Sequence, residues 1–185
     1  GPGSTLSTTN HLLNRVFLSP VTLTDGRVLL VGGYAAIGES TRSLDVYDPR
    51  NQGSFQFAGD MSERRLSATA LQLASGKVLI VGGGQEYSPL PDELFDPADG
   101  GLSIISGTDH RLATAQLLAD GRVLILSRTS RCGGSTSAEL LDPVSMSRVA
   151  LPSPPVNAAV VVRMRDELLL LGSGSAAVFS PDAGT

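Results

Sequence analysis

The chain has 185 residues, a formal net charge of −4 and 41% hydrophobic residues, which is enough for one domain with a substantial core. It has no long basic run and no apolar run near the ~18 residues that cross a bilayer, so neither nucleic-acid binding nor membrane insertion is expected. Its single cysteine, Cys132, excludes an intrachain disulfide framework. Residues 1–4 resemble the remnant of a cleaved expression tag, and the location stays open between the cytoplasm and secretion or the cell envelope.

Four similar segments recur along the chain, and their first residues are spaced by 50, 45 and 45. They read RVLLVGG at 27–33, KVLIVGG at 77–83, RVLILSR at 122–128 and ELLLLGS at 167–173. A second marker follows each of them and ends at Pro49, Pro97, Pro143 and Pro181. Two phased markers with this period predict a repeat architecture, in which each unit buries its apolar face against its neighbours.

Each repeat predicts up to four strands, named A to D, with a two-residue turn between A and B. In chain order these are 16–23, 28–31, 43–47 and 54–57; then 67–73, 77–81, 92–95 and 102–106; then 112–118, 123–126, 138–141 and 148–151; and finally 158–164, 168–171 and 176–179. Strand D of the fourth repeat is predicted to come from residues 5–10. Four antiparallel strands joined by tight turns make one blade, so the prediction is an all-β propeller with four four-stranded blades.

Residues 5–185 are therefore expected to form a single propeller domain, with blades at about 15–60, 61–107, 108–152 and 153–185, the last completed by 5–10. Pairing of residues 5–10 with the last blade would remove two sheet edges. Three arrangements stay open: a four-bladed ring closed by one chain, an eight-bladed ring of two chains, and a fragment of a larger ring.

The markers resemble the kelch family, in the bacterial form related to the central propeller of galactose oxidase. The resemblance also covers the D-G or S-G turn and the basic residues before strand A, which are Arg15, Arg65, His110 and Arg111. Two departures occur: the third and fourth repeats lose the Gly-Gly pair, and the chain has no Trp, which kelch units usually carry on strand D. The resemblance implies a propeller that binds a partner on the face with the D–A and B–C loops.

That face carries the long and varied loops, where binding residues are frequent, and Tyr and Arg are common hot spots. The predicted binding residues are Tyr34, Arg42, Gln85, Tyr87, Arg128, Arg131, Arg15, Arg65, His110 and Arg111. A structural alternative applies to the basic residues before strand A, which would bond to carbonyls of a neighbouring blade.

The sequence thus predicts a non-catalytic binding or assembly module that has a protein partner. Self-association of the module into a larger ring also stays open. No catalytic residue, metal ligand or cofactor is predicted. An ion on the propeller axis stays open, because strand A carbonyls would hold a cation such as Ca²⁺ and the N–H side would hold water or chloride. Two alternatives stay open, a carbohydrate-binding or cell-surface attachment propeller and an enzyme domain.

Overall fold

A computed structural model of the protein describes residues 15–35, 38–51, 53–84, 89–130, 135–156, 158–164, 167–172 and 174–180. All regular secondary structure in this part of the chain is β-strand, which confirms the predicted all-β class. None of these residues belongs to a helix with the length and apolar character that a membrane crossing requires.

The strands follow the four repeats. The first repeat has β1 (Arg15–Val16), β2 (Ser19–Thr22), β3 (Val28–Val31), β4 (Tyr34–Ala35), β5 (Thr41–Asp48) and β6 (Ser54–Arg65). The second has β7 (Thr69–Gln72), β8 (Val78–Val81), β9 (Leu90–Phe95) and β10 (Leu102–His110). The third has β11 (Leu112–Leu117), β12 (Val123–Arg128), β13 (Thr136–Leu141) and β14 (Arg148–Leu151). The fourth has β15 (Ala158–Met164), β16 (Glu167–Gly172) and β17 (Ser175–Phe179).

Each repeat forms one antiparallel sheet whose strands pair in chain order. The first sheet has the order β2-β3-β5-β6, the second β7-β8-β9-β10, the third β11-β12-β13-β14 and the fourth β15-β16-β17. Strands β1 and β4 form a separate two-stranded sheet. The strand predicted to complete the fourth sheet, residues 5–10, lies outside the described residues.

Several predicted boundaries differ from the structure, and the differences at the first strand A and at the last strands of the first two sheets are the largest. The first strand A, predicted as one element, is divided into β1 and β2 because Phe17 has a left-handed φ of 57° that interrupts the extended chain. Strands β6 and β10 are longer than predicted and run on to Arg65 and His110, with shifts of register against β5 and β9. Because of these extensions, two predicted binding residues, Arg65 and His110, contact the next sheet along the chain.

The Gly-Gly pair ends the second strand of the first two sheets. Gly32 and Gly82 have φ values of 58° and 65°, and a Cβ at Gly82 would lie 2.9 Å from the backbone nitrogen of Ala113. Only glycine fits this combination of a left-handed backbone and a close neighbour. Where Ser127 and Arg128 replace the pair, β12 continues as a strand for 6 residues, whereas β8 has 4.

The core lies between successive sheets, in three apolar joints. The first joint packs residues such as Leu29 and Val31 of the first sheet against Val78, Ile80 and Phe95 of the second. The second joint contains Leu79, Val81, Ala113, Val123 and Ile125, and the third contains Leu124, Leu126, Leu140, Leu168 and Leu170. Alternate residues of β8 thus face opposite joints, as the near-continuous apolar pattern predicts. The first strands β2, β7, β11 and β15 lie side by side in chain order.

Candidate functional site

An open cavity with a volume of about 450 Å³ lies between the chain that follows β4 and the end of β6. Its lining comes from both repeats that meet there: Tyr34, Gly38, Glu39, Ser40, Arg64, Leu66 and Gly83. The loop after β4 is closed on itself, because the Ala35 N–H donates to the Glu39 carbonyl at 2.9 Å and Tyr34 bridges to Ser40. The cavity therefore lies on the face that the sequence predicts for binding.

A solvent-accessible ion pair forms one wall of the cavity. Arg64 pairs with Glu39, and the Nη1 atom of Arg64 also donates to the Ser40 carbonyl at 2.9 Å. More than half of each charged side chain is exposed, so water competes with the pair and its contribution to stability is small. The wall offers a ligand both a positive and a negative group.

An apolar patch adjoins the ion pair; we call it the loop-face patch and define it as Val16, Phe17 and Tyr34. Val16 and Tyr34 are directly opposite each other in the two-stranded sheet, and Phe17 follows β1 with 67% of its surface exposed. The Ser67 N–H donates to the Phe17 carbonyl at 3.0 Å, which fixes the patch beside Leu66. Exposed aromatic side chains next to paired charges are typical of protein-binding surfaces.

Two of the predicted binding residues, Arg15 and Arg65, instead reach into the sheets. Arg65 is fully buried: its Nη1 donates to the Gly82 carbonyl at 2.6 Å, its Nη2 to the Pro91 carbonyl at 2.5 Å, and its Nε to Glu93 at 3.3 Å. Burial lowers the pKa of Arg65 despite the carboxylate beside it. In the same way Arg15 pairs with Asp45. Arg65 ends the last strand of the first sheet and bonds to carbonyls of the second, in agreement with the structural alternative.

His110 is the third basic residue of this kind, and it belongs to a larger network. Its Nδ1 lies 2.8 Å from Asp92 and its Nε2 lies 3.3 Å from Glu139. Arg148 donates to Asp92 at 2.8 Å and also pairs with Glu139. Burial lowers the pKa of His110, but the hydrogen bonds to the two carboxylates outweigh it and raise the pKa to about 9. The imidazole is therefore charged at neutral pH and joins the second sheet to the third.

The carboxylates that receive these cations were missed by the sequence analysis. Asp45, Glu93 and Glu139 occupy the same place in the third strand of successive sheets, opposite Leu30, Ile80 and Ile125. An acidic residue at a corresponding position of three repeats was a signal that could have found them, because a charge in a buried strand needs a partner.

The remaining predicted binding residues are distributed differently. Arg42 is exposed and pairs with Asp60 at 3.3 Å, while Arg111 and Arg128 are half-buried and do not line the cavity. Gln85, Tyr87 and Arg131 lie outside the described residues. Tyr34 is the predicted residue that lines the cavity, and Arg64, Leu66 and Phe17 were missed.

In the described part of the chain, no group of three or more His, Cys, Asp or Glu side chains is placed to hold a metal ion. Models of known protein families and curated proteins give no match to this chain. The cavity, the loop-face patch and the sheets are the features that bear on function.

Proposed function

We propose that the four sheets are blades of a kelch-like β-propeller, and that the protein is a non-catalytic binding or assembly module which presents the loop face to a protein partner. The side-by-side order of β2, β7, β11 and β15 supports the blade arrangement, because the first strands of neighbouring blades line the centre of a propeller. Closure of a four-bladed ring by residues 5–10 stays a prediction, since those residues lie outside the described part.

Exposure of aromatic side chains at the cavity is the observation that carries the binding proposal. Phe17 is 67% exposed and Tyr34 is 40% exposed, although both are large enough to gain from burial. The Glu39–Arg64 pair beside them supplies complementary charges that would orient a polypeptide. A partner protein that has an apolar contact surface surrounded by charged groups would fit these aromatic and charged side chains.

Affinity capture from cells that make the protein, followed by mass spectrometry, tests the proposal. We expect Tyr34→Ala and Phe17→Asn to lose a partner that the unchanged chain retains, because each removes an aromatic contact. Asn is chosen at position 17 because it tolerates a left-handed backbone. The matched control is Val144→Asn, which changes a side chain that is 92% exposed in the turn after β13.

Equal recovery of the partner by all four proteins would show that the loop-face patch does not bind it. In that case the blade arrangement would remain and the binding surface would have to be sought elsewhere.

Carbohydrate binding or attachment to a cell surface is the second candidate. The Tyr34 ring stands in an open cavity beside Ser40, Glu39 and Arg64, and sugars commonly stack on an aromatic ring while polar groups bind their hydroxyls. A glycan array probed with the unchanged chain and with Tyr34→Ala distinguishes the two functions. Binding that depends on Tyr34 would favour the carbohydrate, whereas a silent array would remove it.

A further inference from the structure

One face of the fourth sheet is apolar and exposed; we call it the open face. It consists of Val160, Val162 and Met164 of β15, Leu169 and Leu171 of β16, and Val178 of β17. Exposed fractions are 50% for Val160, 43% for Val162, 39% for Met164, 36% for Leu171 and 55% for Val178. Glu167, which pairs with Met164, places one exposed charge at the end of this face, while the rows of Val160 and Val162 contain only apolar residues. A contiguous exposed apolar face of this kind is a candidate contact site.

The corresponding face of the third sheet is buried. In β16, Leu168 and Leu170 face the third joint, so Leu169 and Leu171 must point to the opposite side. The equivalents of these two residues in β12 are Leu124 and Leu126, which are both 0% exposed. The open face thus lies where each preceding sheet receives the next sheet of the array.

The first sheet carries the complementary face, and we call it the opening face. The second and third sheets receive their predecessors with Val78, Ile80 and Phe95, and with Val123, Ile125 and Leu141. Their equivalents in the first sheet are Val28, Leu30 and Tyr47. Tyr47 packs on Phe55 of β6 with ring centroids 4.9 Å apart and ring planes tilted by 45°, and Phe57, also in β6, is 66% exposed. The opening face is therefore largely apolar and aromatic and partly uncovered, and its Leu30–Phe57 row also carries Asp45, which pairs with Arg15.

We propose that the open face of one copy packs on the opening face of a second copy, so that two copies form one closed ring of eight sheets. The joint would repeat the packing of the three joints within the chain. It is a head-to-tail contact, and such a contact closes into a ring only when the rotation between copies completes a circle. The proposal gives each copy four of the eight sheets, which is half of the circle. The proposal rests on the blade arrangement proposed above.

The two faces have the size that such a dimer needs. A face three strands wide and about six residues long covers roughly 300 Å². Because a two-copy ring has two joints, each copy contributes about 600 Å² of flat area, near the ~800 Å² of accessible surface per partner in stable interfaces. A single joint between two copies would be smaller than the usual stable contact.

Exposure within the chain decides between a second copy and the chain's own first sheet. If the first and fourth sheets covered each other, Leu171 and Val28 would be as buried as their equivalents Leu126 and Val78, which are both 0% exposed. Leu171 is 36% exposed and Val28 is only half-buried instead. The faces are thus available to another copy.

Sedimentation velocity of the full chain over a range of concentrations tests the proposal. We expect a species of about twice 19.1 kDa. Val162→Glu on the open face and Phe57→Glu on the opening face should each weaken self-association at least about 100-fold, because each damages both joints. Val144→Glu is the control and should remain dimeric. Circular dichroism checks that every variant keeps its β-structure.

Mixing Val162→Glu with Phe57→Glu identifies the head-to-tail geometry. The mixture can form one undamaged joint, between the open face of the Phe57 variant and the opening face of the Val162 variant. We therefore expect more dimer in the mixture than in either variant alone. Equal amounts in all three samples would exclude the head-to-tail joint.

A wild-type chain that stays monomeric at all concentrations would overturn the proposal, and so would a Val162→Glu variant that stays dimeric. Its failure is separate from failure of partner binding. Tyr34→Ala should leave the mass unchanged, and monomeric Val162→Glu should still capture the loop-face partner.

Discussion

In each of the first three repeats, a cation stands before the first full strand of the sheet and meets a carboxylate on the third strand, whereas the fourth repeat has Pro155 and Ala177 at these two positions. Ala177 pairs with Leu170 in the register in which Glu139 pairs with Ile125. The first three sheets are thus held by buried charges as well as apolar contacts. The fourth lacks this pair at both positions, and its other face is open.

This difference separates two ways in which a repeat is held to its neighbour, by buried charges and by apolar packing. A buried cation that reaches the carbonyls and carboxylate of the next sheet fixes the orientation of that sheet, since hydrogen bonds are directional and apolar contacts are not. A sheet without this connection depends more on shape and burial for its packing against its neighbour. We expect the first three repeats to depend on their charges and the fourth to depend on what covers it.

The largest expected effect breaks the connection at Arg65. Arg65→Met leaves the buried Glu93 without its cation, and removal of one partner of a buried pair typically costs about 3–5 kcal/mol. The matched control is Arg64→Met, whose exposed pair with Glu39 is worth about 1 kcal/mol or less. Urea unfolding of both variants measures the difference. Similar losses for the two would show that the buried pair does not hold the joint.

The next effect is a pH dependence that belongs to His110. Its pKa is about 9 in the folded protein and 6.5 in the unfolded chain. The stabilisation is therefore complete below pH 6.5 and is lost as the pH rises to about 9, with a magnitude of about 3 kcal/mol. The free energy of unfolding should fall over this interval.

His110→Gln is the comparison for the pH dependence, since it keeps a polar side chain without a charge that titrates. Over the same interval its stability should change less than that of the unchanged chain. If both proteins lose stability equally between pH 6.5 and 9, the network around Asp92, Glu139 and Arg148 is not the cause.

A smaller effect concerns the Gly-Gly pair, which the first two repeats retain and the last two have lost. Gly82→Ala should cost about 2–3 kcal/mol, because it adds a Cβ at a left-handed φ and 2.9 Å from Ala113. Gly76→Ala has a comparable φ of 87° but open space around it, so it should cost only about 1–2 kcal/mol. Thermal or urea unfolding that ranks the two in the opposite order would contradict the close approach.

The smallest effect is expected at the loop face. Tyr34→Ala should change the free energy of unfolding by about 0.5 kcal/mol or less, because the ring is exposed and the sheets do not depend on it. A large loss of stability would show that Tyr34 packs the fold rather than serving a partner.

Local patterns predicted most of the strands. Predicted segments 148–151 and 158–164 coincide with β14 and β15, because alternating or continuous apolar runs bounded by turns define strands locally. The division at Phe17 was not predictable, since a left-handed phenylalanine is rare and depends on tertiary contacts.

The candidate site was predictable only in part. The place of Tyr34 on the loop face was predictable from its position after a Gly-Gly pair. The cavity is also lined by Arg64 and Leu66 from the start of the next repeat. The charge network around His110 was equally hard to predict, because Arg148 and Asp92 are 56 residues apart in the sequence. Contacts between repeats depend on how the sheets pack, which the sequence of one repeat does not contain.

Hydrogen–deuterium exchange of the full chain, at a low and a high protein concentration, tests most directly whether every apolar sheet face is covered by another sheet. Strands β8 and β12 are buried on both sides, and their amides should exchange slowly at both concentrations. Amides of β15, β16 and β17 should exchange faster at the low concentration and slow down at the high one, as the second copy covers the open face. Exchange in the fourth sheet that does not change with concentration would contradict the joint between copies.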